Sequence, residues 1–363
     1  MNKILVAMSG GVDSSVTAYL LKEQGYECVG CTMKLYDTED LANPCATCNP
    51  KEGSQSKTCC SADDVEDARS VAFRLGMKYY VFNYKDDFKS TVIANFVDSY
   101  IKGSTPNPCI ECNKHMKFTK LLNQANLLGY DGIATGHYAR IIEEDGVFRL
   151  LKAVDLSKDQ SYVLYNLSQE QLSKIKFPLG AMTKNEAREI AEAQGFINAR
   201  KHDSQDICFV PDGDYASMIE RYSGKTFKPG NFVDKEGNIL GKHKGIIHYT
   251  IGQRRGLGIP AADRLYVVKI DVPNNTVVLG SNDDLFAREV NAKDLNWIAG
   301  GNVPAEFRCK AKIRYRMTEQ ACTVKTDGNN FTIIFDEPQR AATSGQSAVL
   351  YDGDYVLGGG IIC

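Results

Sequence analysis

Three groups of residues have types and spacings that could do chemistry. The first is Ser9-Gly10-Gly11-Val12-Asp13-Ser14-Ser15, directly between an apolar run at 3–7 and a helical pattern at 16–24. Two glycines let a backbone approach a ligand closely, and amides and hydroxyls at a helix N-terminus suit a pyrophosphate. The lysine of a Walker A loop is missing, which excludes an ordinary P-loop. The second group is cysteines. Cys109 and Cys112 form a Cys-x-x-Cys inside Thr105-Pro106-Asn107-Pro108-Cys109-Ile110-Glu111-Cys112-Asn113-Lys114, read as a proline-rigid turn just before a helix at 115–128. A thiolate there gains from the helix dipole and from Lys114, which suits a nucleophile, a sulfur carrier or half of a metal site. Cys208, in Asp203-Ser204-Gln205-Asp206-Ile207-Cys208, reads on its own as readily as a core residue. The third group is Arg308, Lys310, Lys312, Arg314 and Arg316, at every second position. In a strand all five share one face, where they repel one another unless an anion such as phosphate sits there. Cys309, Ala311, Ile313 and Tyr315 would then fill the opposite, inner face.

The elements that must position these groups fall into two styles. Apolar runs at 3–7, 27–33, 78–82 and 130–135 alternate with helical patterns at 16–24, 63–75 and 115–128. Gly25 and Gly76 stop two of those helices. Such alternation predicts a parallel sheet flanked by helices. After about Pro211 the chain turns rich in Gly and Pro, with short β-like runs at 245–250, 265–272 and 276–279. From about Phe286 strands are expected at 307–315, 321–326, 331–335, 347–350 and 355–362, divided by turns such as Asp327-Gly328-Asn329-Asn330. That pattern predicts a small β-barrel. Cys28, Cys31, Cys309 and Cys322 fall inside strand patterns and read as core.

With 363 residues there is enough chain for two or three domains. No apolar run reaches the ~20 residues that span a bilayer, and the N-terminus does not read as a signal peptide. The chain therefore reads as cytoplasmic and without a membrane partner; a monomer is expected, although no residue pattern fixes the oligomeric state. Twelve cysteines in a reducing compartment point to metal binding, catalysis or burial rather than structural disulfides. A net charge of −2 excludes a generally basic surface, so any nucleic-acid site must be a local patch.

Ser-Gly-Gly-x-Asp-Ser between strand and helix resembles the pyrophosphatase loop of enzymes that split ATP into AMP and pyrophosphate. Joined in order with Asn107-Pro108, Cys112-Asn113-Lys114, Ala134-Thr135-Gly136-His137-Tyr138, Lys158-Asp159-Gln160-Ser161-Tyr162, Gly252-Gln253-Arg254-Arg255-Gly256 and Gly345-Gln346-Ser347, it resembles the bacterial tRNA-specific 2-thiouridylases over nearly the whole chain. The resemblance implies an α/β N-terminal parallel-sheet, adenine nucleotide alpha-hydrolase-like (PP-loop) domain, a small central domain and a C-terminal β-barrel. Boundaries are expected at 1–210, 211–282 and 283–363, the central domain being mostly β and touching tRNA. ATP, with magnesium, would be bound by Ala7, Met8, Ser9, Gly10, Gly11, Val12, Asp13, Ser14, Met33 and Gly136. It would adenylate the wobble uridine of tRNAs for Lys, Glu and Gln, and AMP would leave as sulfur enters. Cys112 matches the family's nucleophile and Cys208 the persulfide carrier charged by a desulfurase relay, the pair closing to a disulfide at the end of a turnover. Asn107, Pro108 and Cys109 would lie beside the target base. His137, Lys158, Asp159, Gln160, Arg314, Tyr315 and Gln346 would face tRNA.

The chain departs from the family at Cys109, where many members have Asp. Cys109, Cys112 and Cys208 could instead hold a 4Fe–4S cluster whose open iron binds sulfide. Cys45, Cys48, Cys59 and Cys60, in the polar stretch 37–61, suit a structural zinc knuckle or a loop that orders over tRNA. Two readings compete with thiolation: another adenylating ligase or amidotransferase acting on a small metabolite, and a non-enzymatic RNA-binding or metal-sensing module. The first leaves the basic strand unexplained and the second leaves the nucleotide loop unexplained.

Overall fold

The structure, a computed structural model, describes residues 2–37, 62–201 and 207–363. The cysteine group at 45–60 lies outside the described residues. Two compact units emerge: Met1–Val92 with Cys109–Gly213 and Ile298–Gly300, and Ile93–Pro108 with Asp214–Trp297 and Gly301–Cys363.

The first unit is built on strand β1 (Lys3–Ala7), in which Ile4, Leu5 and Val6 are wholly buried. A strand apolar on both faces belongs in a parallel sheet covered by helices on each side. It pairs in parallel with β2 (Glu27–Lys34) and β4 (Gly132–Ala134). With β3 (Tyr79–Asn83) and β7 (Ile175–Lys176) the order is β3-β2-β1-β4-β7, every pairing parallel. The helices Val12–Glu23, Ala62–Arg74 and Lys184–Ala193 bury Val16, Ala68, Ala72, Ala187 and Ala191 against Ile4, Val6 and Ala134. Small residues on the helices let the layers approach, while each buried Ile or Val contributes about 1.5–3 kcal/mol. A hairpin of β5 (Ala139–Glu144) and β6 (Val147–Lys152) follows β4. The chain winds one way from β1 to β2 and β3 and the other way to β4 and β7. The β1–β4 junction is thus the switch point where parallel sheets open a ligand crevice at their carboxyl ends.

The second unit holds two β assemblies. Strands β8 (Gly230–Val233), β9 (Ile239–His243), β10 (Tyr266–Asp271) and β11 (Thr276–Gly280) form a sheet in the order β10-β11-β8-β9. Strands β12 (Phe286–Trp297), β13 (Glu306–Lys312), β14 (Gln320–Asp327), β15 (Asn330–Arg340), β16 (Ser347–Asp352) and β17 (Tyr355–Ile362) run β12-β15-β14-β13-β16-β17, and a β12–β17 pairing closes them into the expected barrel. Its interior is Val290, Ala311, Ile313, Cys322, Val324, Ile333, Phe335 and Leu350.

Three expectations need correction. The run at 245–250 is not a strand but a short 3-10 turn, Ile246–His248; Gly245 N donates to His243 Nδ1 and takes the chain out of the sheet. The helix that carries the cysteines starts at Pro108, not near His115. Proline lacks an N–H and has its φ preset, so it opens a helix rather than preceding one. Strand β13 stops at Lys312, because the chain turns through Arg314, whose carbonyl accepts from Met317 N at 3.2 Å. Arg314, Tyr315 and Arg316 therefore leave the strand face, and Tyr315 is exposed instead of filling the barrel. No described helix is long and apolar enough to cross a membrane.

Candidate active site

The glycine loop follows β1 and runs into the helix Val12–Glu23, whose N-cap, Gly11, supplies no side-chain cap. The first amides of that helix are thus left for a ligand. Inside the loop Ser9 N donates to Ser14 Oγ at 3.1 Å, and Ser14 Oγ and Ser15 Oγ each donate to the Gly11 carbonyl at 3.0 Å. Gly10 sits at φ +73°, and a side chain there would run into the Asp64 backbone. Across the switch point, Gly136 comes so close that a Cβ on it would lie 2.9 Å from Ser14 N. The loops after β1 and β4 are thereby brought together. Met8 and Val12 are core side chains, 2% and 3% exposed, so they can offer a ligand only their backbone. Met33 lies near the end of β2, opposite Phe82.

Asp13 is more constrained than its sequence position suggests. Its carboxylate accepts from Lys184 Nζ at 2.7 and 2.8 Å and from the Tyr138 hydroxyl at 2.8 Å. Lys184 is buried at the start of its helix, which the Thr183/Glu186 capping box fixes. Tyr138 is held in turn by Gln160, whose Oε1 accepts from Tyr138 N at 2.9 Å. Gln160, a residue the resemblance turns toward tRNA, also fixes the backbone of Tyr138 through its side-chain oxygen. Asp159 is fixed from within the fold as well. It is buried, with its oxygens accepting from Ala153 N, Ser161 N and Ser161 Oγ. Lys158 beside it is half-buried.

His137 is also inside the fold, 8% exposed, between Phe118 and Phe177. Burial, then the charge of Lys117, holds its pKa well below the ordinary histidine value. The neutral ring bonds Thr135 Oγ1 through Nδ1 at 2.6 Å and Lys117 Nζ through Nε2 at 3.5 Å. Since Lys117 can only donate, Nε2 is the acceptor and Nδ1 carries the proton.

The cysteines sit on a helix whose first turn is Pro108–Glu111 and which continues as a π-helical stretch, Cys112–Leu121. Ile110 and Asn113 point inward; Asn113 Nδ2 donates to the Val163 carbonyl at 2.9 Å. Cys109, three positions before Cys112, is exposed, and Cys112 is half-buried. Side chains at that spacing share a helix face. Cys208 is half-buried next to Phe209, which packs edge-on against Phe88 at 5.6 Å. Among the described residues no group of three or more Cys, His, Asp or Glu is gathered closely enough to hold a metal ion. Cys109, Cys112 and Cys208 are thus not gathered into a three-thiolate cradle in this conformation. Cys28, Cys31 and Cys322 are buried as expected; burial pushes the Cys28 thiol up to about 11 despite nearby Lys22.

In the second unit Arg308, Lys310 and Lys312 do point out of β13. Arg308 already has an anion, Asp336, paired in bidentate fashion at 2.7 and 2.6 Å. The expected five-charge face is therefore reduced by the turn and by this pair. Gln346 donates through Nε2 to the Thr105 carbonyl at 2.7 Å, beside Ser344, whose carbonyl accepts from Thr105 N. The barrel so grips the segment leading to Asn107 and Pro108. Sequence reading missed Lys184, Tyr138 as a partner of Asp13, and the pair Asn198 and Lys201 under Gly10; the capping box at Thr183 was the one signal pointing to Lys184.

Comparison with known proteins gives a consistent result. A family model described as the tRNA methyl transferase HUP domain matches residues 2–212. The tRNA methyl transferase PRC-barrel domain matches 216–281 and the aminomethyltransferase beta-barrel domain 287–362. A tRNA-specific 2-thiouridylase of Clostridioides difficile (strain 630) is 50% identical over 363 residues, spanning 99% of this chain and 98% of its own. That of Acetivibrio thermocellus is 51% identical, spanning 99% of each. A solved U34-tRNA thiolase from Methanococcus maripaludis, with its 4Fe–4S cluster, matches at 19% identity over 62% of this chain and 73% of its own, with a TM-score of 0.34, too slight a likeness to carry an argument. At half identity over virtually the full length of both relatives, this chain belongs to the tRNA-specific 2-thiouridylase family.

Proposed function

We propose that the protein is an ATP-dependent tRNA-uridine 2-sulfurtransferase acting on the wobble uridine, with tRNAs for Lys, Glu and Gln as substrates. The observation that carries the reading is the uncapped N-terminus of the helix Val12–Glu23 at the β1–β4 switch point, with Gly136 packed beside it. Such a helix end presents about half a positive charge and a row of amides to an anion. In the proposed sequence the uridine O2 attacks the α-phosphorus of ATP. Pyrophosphate leaves, and the amides at Gly11–Ser14 hold its charge. The C2 of the O2-adenylated uridine then accepts a sulfur nucleophile and expels AMP through cleavage of its C2–O2 bond.

For sulfur delivery the chain's own thiols offer a balanced route. A persulfide on Cys208, supplied by a desulfurase relay, attacks C2 through its outer sulfur as AMP departs. The Cys112 thiolate then attacks the inner sulfur of Cys208, freeing the 2-thiouridine and forming a Cys112–Cys208 disulfide. A dithiol reductant returns both to thiols. Cys109 stands on the same turn as Cys112 and would flank the base with Asn107 and Pro108. Lys310 and Lys312 on β13, with Arg314 and Tyr315 in the turn after it, would meet tRNA phosphates, along with Lys158.

The test is a paired assay of AMP and 2-thiouridine. Both should appear only with tRNA present, in equal amounts. AMP release without tRNA would favour a ligase acting on a small metabolite. Anaerobically purified protein should thiolate without iron; about four irons per chain, lost in Cys208→Ala, would return delivery to a cluster.

A further inference from the structure

Two polar side chains that the adenylation reading does not use lie directly beneath the glycine loop. Asn198 Nδ2 donates to the Gly10 carbonyl at 2.9 Å and to Ser15 Oγ at 2.9 Å. Lys201 Nζ donates to the same carbonyl at 3.3 Å. Asn198 is 3% exposed, in a segment anchored by buried Phe196 and Ala199. Its orientation follows from its neighbours. Gly10 O can only accept, and Ser15 Oγ has spent its proton on Gly11 O, so the amide must turn its NH₂ to both. Lys201 is equally committed. Its three protons serve Gly10 O, Asp64 Oδ1 at 2.6 Å and Asp67 Oδ2 at 2.7 Å, leaving none to grip a phosphate. Burial lowers its pKa, but bonds to the two carboxylates outweigh that and raise it, so it remains charged.

In a planar trans peptide the carbonyl of one residue and the amide of the next point in opposite directions. Drawing the Gly10 carbonyl inward therefore turns the Gly11 N–H outward, and the serine bonds to Gly11 O do the same for the Val12 N–H. We propose that Asn198 and Lys201 are positioning residues that clamp the Gly10 carbonyl and so aim the Gly11 and Val12 amides at the pyrophosphate of ATP before ATP arrives. The inference rests on the adenylation reading. Glycine is required at position 10 by its positive φ, but glycine is also the residue least able to hold one peptide orientation unaided. The clamp supplies what the loop lacks.

The experiment is steady-state pyrophosphate release, with ATP and tRNA varied separately, in wild type, Asn198→Ala, Lys201→Met and Lys201→Arg. Asn198→Ala and Lys201→Met should raise KM for ATP about tenfold, as expected for one lost buried hydrogen bond. KM for tRNA should stay within about twofold, and Lys201→Arg should recover most of the loss. An unchanged KM for ATP in the folded variants overturns the clamp, as does an equal rise for ATP and tRNA. Should Asn198→Ala fail to fold, Lys201→Met decides alone, since that side chain is 36% exposed and at the edge of the network. If wild type releases no pyrophosphate from ATP, the adenylation reading itself falls.

Discussion

The nucleotide loop and the cysteine helix belong to the same unit but are built differently. In the loop the bonds fall on the working groups themselves: the Gly10 and Gly11 carbonyls, the Ser14 and Ser15 hydroxyls and the Asp13 carboxylate all have fixed protein partners. Near the thiols, Ile110 and Asn113 turn inward beside Cys112, and Phe209 beside Cys208 packs against Phe88. The difference matches the two kinds of chemistry proposed. Charge developing on a leaving pyrophosphate is best met by dipoles already in place, which cost no reorganisation during the reaction. A sulfur atom handed between residues must travel, and the thiols proposed to carry it stand on two separate segments, the helix that begins at Pro108 and the stretch at 207–210.

The sharpest way to break this comparison is to remove one thiol. Cys208→Ser or Cys112→Ser should cut 2-thiouridine formation about a thousandfold or more, while a first turnover of pyrophosphate release on tRNA is kept. Loss of both products together would mean that the two regions are one coupled device. Next in size is Lys184→Met, which leaves Asp13 without its buried cation. Breaking one side of such a pair costs about 3 kcal/mol, read as a lower denaturation midpoint, and ATP binding should weaken with it. A stable Lys184→Met chain would show that the loop does not depend on remote partners. Smaller again is His137, held neutral by burial and by Lys117. The unfolded chain takes up a proton below about 6.5 and the folded one does not, so the contribution is fully present above that pH. It is lost as pH falls, by up to about 1.4 kcal/mol per pH unit. His137→Phe should flatten that slope.

What could be read from the sequence follows the same divide. Ser9–Ser15 was legible because a phosphate cradle is built from contiguous backbone, and the β/α alternation around it announces a parallel sheet. Its supports were hidden by distance: Asn198 reaches a carbonyl 188 positions away and Lys184 a carboxylate 171 positions away. Polar residues mislead when they serve the fold. Asp159 and Gln160 look like surface groups but satisfy backbone amides, which buried turns demand. Likewise the alternation from Arg308 to Arg316 continues past Lys312 although the backbone has already turned.

The smallest effect probes the second unit, where Gln346 ties the barrel to Thr105. The bond is single and neutral, so Gln346→Ala should cost about 1 kcal/mol. It also touches neither the Asp13 network nor Gly10, so ATP affinity should be unchanged. What should change is the placement of Asn107 and Pro108, because Thr105 keeps only its backbone bond to Ser344 and the hydroxyl pair Ser104–Ser344 at 2.9 Å. Thiolation per adenylation event should then fall by a fewfold as water discharges more of the adenylate, read as AMP released in excess over 2-thiouridine formed. Gln346→Glu separates this positioning role from a direct contact with tRNA: it loses the donor to the Thr105 carbonyl and adds a negative charge. A direct phosphate-side contact predicts much weaker tRNA binding for Gln346→Glu than for Gln346→Ala. A clamp on Thr105 predicts the same excess of AMP for both.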